Sequence, residues 1–88
     1  MAIRLTKEAL ECYILTCLSI QRMHTAQILK CVSIRIENIK TATFYNALTS
    51  LEEKGQIKKR EVVKNGVTLE VYGITMAGQK HLDALLNE

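Results

Sequence analysis

The 88-residue chain has no proline and no tryptophan, one phenylalanine and four glycines. Without proline, and with short turns throughout, it offers no extended linker, so we read residues 1–88 as a single domain. No internal repeat or low-complexity stretch breaks it. The longest apolar run spans only a few residues, and no basic-then-apolar leader opens the chain. We therefore expect neither a signal peptide nor a membrane span, and a cytosolic (cytoplasmic) location. Cysteine is sparse and odd in number. Cys12, Cys17 and Cys31 give no paired framework, and all three are expected to be reduced packing residues. Cys12 and Cys17, five apart on a helix, point about 140° away from each other, which suits no shared metal. Catalytic sets are missing as well. There is no Ser/His/Asp group and no phosphate-cradling glycine loop, and His24 and His81 fall on different expected helices. No enzyme activity, cofactor or metal is expected.

Hydrophobic residues make up 48% of the chain, a high share for its length. A chain of this size buries only about two thirds of its unfolded surface, so part of the apolar content is expected to meet a second subunit. The net charge of +3 is a weak signal, but its distribution is informative. Lys54, Lys58, Lys59, Arg60 and Lys64 cluster against Glu61 alone, whereas residues 65–88 carry Lys80 against Glu70, Asp83 and Glu88.

The cluster follows the most distinctive stretch, Thr41 to Ile57. Phe44, Leu48 and Leu51 lie at i, i+4 and i+7, one apolar stripe at helical period. Thr43, Tyr45, Asn46, Thr49 and Ser50 fill the space between them where a solvated helix would more often carry Glu and Lys. Short polar groups of this kind suit a DNA groove. Glu52, Glu53 and Lys54 return to ordinary surface chemistry, and Gly55 supplies a stop. The helix is expected over residues 39–54, capped by Asn38 or Thr41.

Ahead of it, Thr6 is a plausible N-cap for a first helix through Ile20, with Leu10, Ile14, Cys17 and Leu18 as its main stripe. Leu5, Tyr13 and Ile20 widen that stripe, which points to a dimer contact. Gln21–Thr25 reads as a polar break, with His24 or Thr25 capping a short second helix over Ala26, Ile28, Leu29 and Val32. Ser33–Lys40 reads equally as a short strand or as a loop. Behind the focal helix, Asn65-Gly66 between two β-branched runs is a strong hairpin signal, giving a wing over 57–74. A two-residue turn would set Glu61 opposite Glu70, a repulsive pair, so the register stays open. Thr75 caps a last helix, Met76–Leu86, whose apolar side is Leu82, Leu85 and Leu86.

The order helix, helix, helix, hairpin, helix is mostly α with one β-hairpin (α+β). It is the layout of a winged helix-turn-helix, in which the third helix enters the major groove and the wing follows the backbone. Two blocks carry a resemblance. Thr43-Phe44-Tyr45, Leu48, Leu51-Glu52, Gly55 and Ile57 form the first, and Tyr72-Gly73-Ile74-Thr75-Met76-Ala77-Gly78 the second. At this separation the pair resembles the PadR-like transcriptional regulators. The chain departs from that pattern at His24-Thr25-Ala26 and at Glu70-Val71, and it stops at Glu88. Any dimer is therefore expected to use the first and last helices, through Leu5, Tyr13, Leu82, Leu85 and Leu86, and no small-molecule effector is expected.

The resemblance implies a homodimeric, repressor-type regulator of double-stranded DNA. It puts Thr43, Tyr45, Asn46 and Thr49 near DNA, and Lys40 and Thr41 at the helix N-terminus, where backbone N–H groups suit a phosphate. Lys58, Lys59, Arg60, Lys64 and Asn65 would serve the wing. Two other readings compete with it. One is an accessory or architectural factor of a plasmid or phage, for example at a transfer origin, that binds largely through its wing. The other is a protein-interaction winged helix that never touches DNA.

Overall fold

The structure is a computed structural model and describes residues 7–87. The elements run α1 (Lys7–Ile20), β1 (Met23–His24), α2 (Thr25–Ser33), α3 (Thr41–Glu53), β2 (Ile57–Lys64), β3 (Val67–Ile74) and α4 (Met76–Leu86). The three strands form one antiparallel sheet in the order β1-β3-β2. This is the expected winged helix-turn-helix, with one addition. The segment read as a polar break holds the two-residue strand β1, which pairs Met23 with Tyr72 and His24 with Val71. Two residues carry no periodicity, so only their long-range partner makes them a strand.

Helix α1 is the central element and touches α2, α3, α4 and β3. Its stripe is buried as expected at Leu10, Ile14, Cys17 and Leu18, and Leu15 joins it. Phe44, Leu48, Leu51, Ile28, Val32, Met23, Ile57 and Leu82 complete the core. Leu82, expected at a dimer contact, is only 2% exposed and closed within the chain's own core. Leu85 is half-buried and Leu86 exposed, so the outward side of α4 lies one turn further on. Leu5 and the Thr6 cap fall outside the described residues.

The cysteines also depart from expectation. Cys17 and Cys31 are joined in a disulfide, with Cα atoms 6.6 Å apart, and Cys12 is free. Spacing along one helix could test only Cys12 against Cys17. The packing of α1 on α2 brings the other pair together.

Local chemistry sets the boundaries. His24 caps α2 through a reciprocal box: its Nδ1 accepts from the Gln27 N–H, and the Gln27 side chain accepts from the His24 N–H. Of the segment Ser33–Lys40, Ser33 closes α2 and residues 34–40 form a turn rather than a strand, with Ile36 and Ile39 half-buried and Ile34 80% exposed. Helix α3 begins at Thr41, two residues later than expected, and its N-cap is Lys40 rather than Asn38 or Thr41. It ends in a Schellman motif. Gly55, at φ +73, donates to the Glu52 carbonyl, and Gln56 donates to that of Leu51.

The wing closes through Asn65 (φ 54) and Gly66 (φ 78), the two left-handed residues of a type I′ turn. Its register does set Glu61 opposite Glu70. Turn geometry and the fixed inward side of Ile57 outweigh an exposed like-charge pair, and Lys59 Nζ lies 3.9 Å from Glu70 to offset it. Among the described residues, no helix is long and apolar enough to cross a membrane.

Candidate nucleic-acid interface

Helix α3 buries Phe44, Ala47, Leu48 and Leu51 and exposes the rest of its circumference. At 100° per residue, Ala42, Asn46, Thr49 and Glu53 point directly outward. Thr43 and Ser50 lie on the flank toward α1, and Tyr45 and Glu52 on the flank toward the wing. From Thr41 to Leu51 this surface carries no charge.

At its start, Lys40 has extended backbone and makes no side-chain cap, and no acidic residue stands in the first turn. The first-turn N–H groups of Thr41, Ala42 and Thr43 are thus left to solvent or a ligand, at the positive end of a helix of 13 residues. Among the described residues the two other helix N-caps are filled: His24 caps α2, and Thr75 caps α4 by accepting from the Gly78 N–H.

Tyr45 is half-exposed and sets its ring edge-on to Phe44, with centroids 5.7 Å apart. Across the groove stands Tyr72. Burial pushes its phenol above the ordinary value, and the charge of Glu52 adds to this. Lys59 opposes the shift, while Glu70 and Tyr45 reinforce it. The groove between α3 and the wing is therefore lined by acids as well as by Lys59.

The far end of α3 is anchored to α1. Glu11, almost fully buried, accepts from Lys54 Nζ at 2.9 Å and from Ser50 Oγ at 3.3 Å. Lys54, read in sequence as part of the basic cluster, is thus committed to a structural ion pair.

The strand pleat divides the rest of that cluster. Ile57 and Met23 point into the core, so residues in phase with Ile57 share the inner face: Lys59, Glu61, Tyr72 and Glu70. Lys58, Arg60 and Lys64 take the outer face, opposite Gly73, Val71 and Val67. The three consecutive cations Lys58, Lys59 and Arg60 do not form one patch, and period-two alternation alone would have signalled this. Arg22 was not singled out from the sequence. It joins Lys58 and Arg60 on the outer face, its Cγ 3.4 Å from where a Cβ on Gly73 would stand. Asn65 sits at the wing tip, exposed.

An exposed helix that carries no charge from Thr41 to Leu51 and has an open N-terminus, set beside a basic hairpin, defines the class: a winged-helix DNA-binding regulator. Residues 14–84 match the Transcriptional regulator PadR-like family, and the chain belongs to that family. Solved structures agree. Smu.1704 from Streptococcus mutans UA159 is 26% identical and superposes with a TM-score of 0.87, over 99% of this chain and 81% of that one. A PadR family transcription regulator from hypervirulent Clostridium difficile R20291 is 26% identical, with a TM-score of 0.81 over 89% of this chain and 83% of its own. A transcriptional regulator from Clostridium thermocellum is 26% identical, with a TM-score of 0.76 over 88% and 78%. No curated protein matches the chain.

Proposed function

We propose that residues 1–88 work as one winged-helix domain that binds double-stranded DNA as a homodimer and acts as a repressor-type regulator. The observation that carries this is α3: an outward face without charge from Thr41 to Leu51, led by a helix N-terminus that no side chain caps. In this reading a backbone phosphate meets the N–H groups of Thr41, Ala42 and Thr43, with Lys40 beside it. Asn46 and Thr49 reach base edges, Thr43 and Tyr45 flank them, and the wing with Asn65 at its tip follows the backbone. Dimer contact runs through Tyr13 on α1 and Leu85 and Leu86 on α4, two helices that pack on each other and leave Leu86 67% exposed. Two α3 helices would then read major grooves about 34 Å apart.

Footprinting on the DNA flanking the protein's own coding region tests the proposal. The expected result is a protected inverted repeat with that spacing. Asn46→Ala is expected to keep nonspecific binding and lose discrimination between sites by about fivefold, the low end for one base contact. Unchanged discrimination removes Asn46 from the recognition role.

One feature favours a second reading, an accessory factor whose wing dominates. Arg22, Lys58, Arg60 and Lys64 share a face, while α3 has no cation between Thr41 and Leu51. Protection of direct rather than inverted repeats would select that reading.

A further inference from the structure

The outer face of the wing sheet holds a cleft of about 250 Å³, lined by Arg22, Lys58, Arg60, Val71, Gly73, Ile74 and Thr75. Three features set it apart from a scatter of surface cations. First, the cations come from two separate parts of the chain. Lys58 and Arg60 stand on β2, two residues apart and in phase, whereas Arg22 arrives from the turn between α1 and β1.

Second, the backbone is shaped to receive Arg22. Its Cγ, Nε and Cδ lie 3.4, 3.6 and 3.8 Å from the position of an added Cβ on Gly73. Residue 73 thus leaves its place on the sheet open, and the arginine stem packs against the bare backbone there while Arg22 lines the cleft. Third, the charges are uncompensated. Among the described residues the ion pairs are Lys54–Glu11 and Lys59–Glu70, and neither uses a cation of the cleft. Both acids of the hairpin, Glu61 and Glu70, stand on the opposite face. Three like charges around one concavity repel one another, and an anion in it relieves that repulsion.

We infer that this cleft is a phosphate-binding site in which Arg22, Lys58 and Arg60 clamp one phosphate group. Arginine supplies the forked donor geometry that fits phosphate oxygens, and Lys58 adds a point charge. Two sources of phosphate share this chemistry, the DNA backbone and a free phosphate-bearing small molecule. The DNA source rests on the proposed function, and the site itself does not. For DNA, the outer face continues along β2 to Lys64, so the clamp would be one end of a line of cations, with Lys58 and Arg60 about 6.7 Å apart and Lys64 about 13 Å beyond Arg60 across Val62. Lys59 lies outside that line.

Two measurements test the site. Affinity for a fluorescent duplex is followed against salt for the native protein, Arg22→Ala, Lys58→Ala and the control Lys59→Ala. Amide NMR shifts are followed in a titration with inorganic phosphate. If backbone phosphate fills the cleft, Arg22→Ala and Lys58→Ala each weaken duplex binding several-fold and lower the slope of log K against log salt by about 0.9, with Lys59→Ala changing it less. If a free phosphate fills it, Arg22→Ala binds the duplex as the native protein does. Inorganic phosphate then shifts the Gly73 and Lys58 amides in the native protein and not in Arg22→Ala. The inference is overturned if Arg22→Ala leaves affinity and slope unchanged and phosphate leaves Gly73 unshifted. A native protein that fails to bind any duplex ends the proposed function instead, and the phosphate titration alone then decides the cleft. Arg22 and Lys58 are exposed, so their removal leaves the core intact.

Discussion

Replacing Gly78 by alanine sets two physical rules against each other. Gly78 is the third residue of α4, where alanine should stabilise the helix by about 1 kcal/mol. The structure demands the opposite sign. A Cβ at residue 78 would stand 2.1 Å from the Gln56 carbonyl oxygen, 2.9 Å from Ile74 Cγ1 and 3.0 Å from the Gln56 carbonyl carbon. Ordinary contact needs at least roughly 1 Å more, so backbone has to move. The atom it must push already accepts from the Thr75 N–H at 3.0 Å, and Thr75 is the cap of α4. Overpacking costs about 1–3 kcal/mol and a weakened cap about 1 kcal/mol more. After the propensity gain, the net loss is about 1–3 kcal/mol. Urea unfolding of an 88-residue chain, with a slope near about 1 kcal/mol/M, should then show a midpoint lower by about 2 M. A midpoint equal to or above that of the native protein would refute the reasoning, because helix propensity alone would then have decided.

Other expectations follow from the same contacts. Reducing the Cys17–Cys31 disulfide opens a loop of sequence separation 14 and should lower stability by about 3 kcal/mol, read from urea midpoints with and without reductant. Lys54→Met leaves the Glu11 carboxylate buried with only Ser50 as partner and should cost about 1–2 kcal/mol, discounted because Lys54 is half-exposed. Tyr72 is raised above its ordinary value of 10.0, so the folded state holds its proton longer than the unfolded chain does. That contribution is complete below pH 10 and fades as pH rises through the folded value. Stability should therefore fall above pH 10 less steeply in Tyr72→Phe, and a phenolate absorbance titration should lose one tyrosine that ionises above pH 10.

What could be read from the sequence was local. The Phe44, Leu48, Leu51 stripe, the Asn65-Gly66 turn and the Thr75 cap each write their geometry within a few residues, and each lies where expected. What escaped was long-range. Met23–His24 is a strand only because Tyr72 and Val71 pair with it. Glu11 and Lys54 are 43 residues apart, and Cys17 meets Cys31 only after two helices pack. Leu82 and Leu86 both belong to an apolar helix side one turn apart, yet Leu82 packs into the core and Leu86 stays 67% exposed. The division of Lys58 and Arg60 from Lys59 was legible in the alternation of the strand, but a count of charge along the chain hides it. Arg22 carries no local signal at all, since its place depends on the bare backbone of Gly73.

The junction at Gly55 and Gln56 has a mechanical consequence. Gly55 and Gln56 hold the end of α3 through Glu52 and Leu51, and they hold the start of α4 through Thr75, which donates to both their carbonyls. Two residues thus act as a rivet between the helix that faces outward and the helix that carries Leu85 and Leu86. A twist applied to α4 would reach α3 through these four hydrogen bonds. In a pair of chains joined through α4, the two α3 helices would then behave as the jaws of a caliper, their gap set by the angle at which the α4 helices cross.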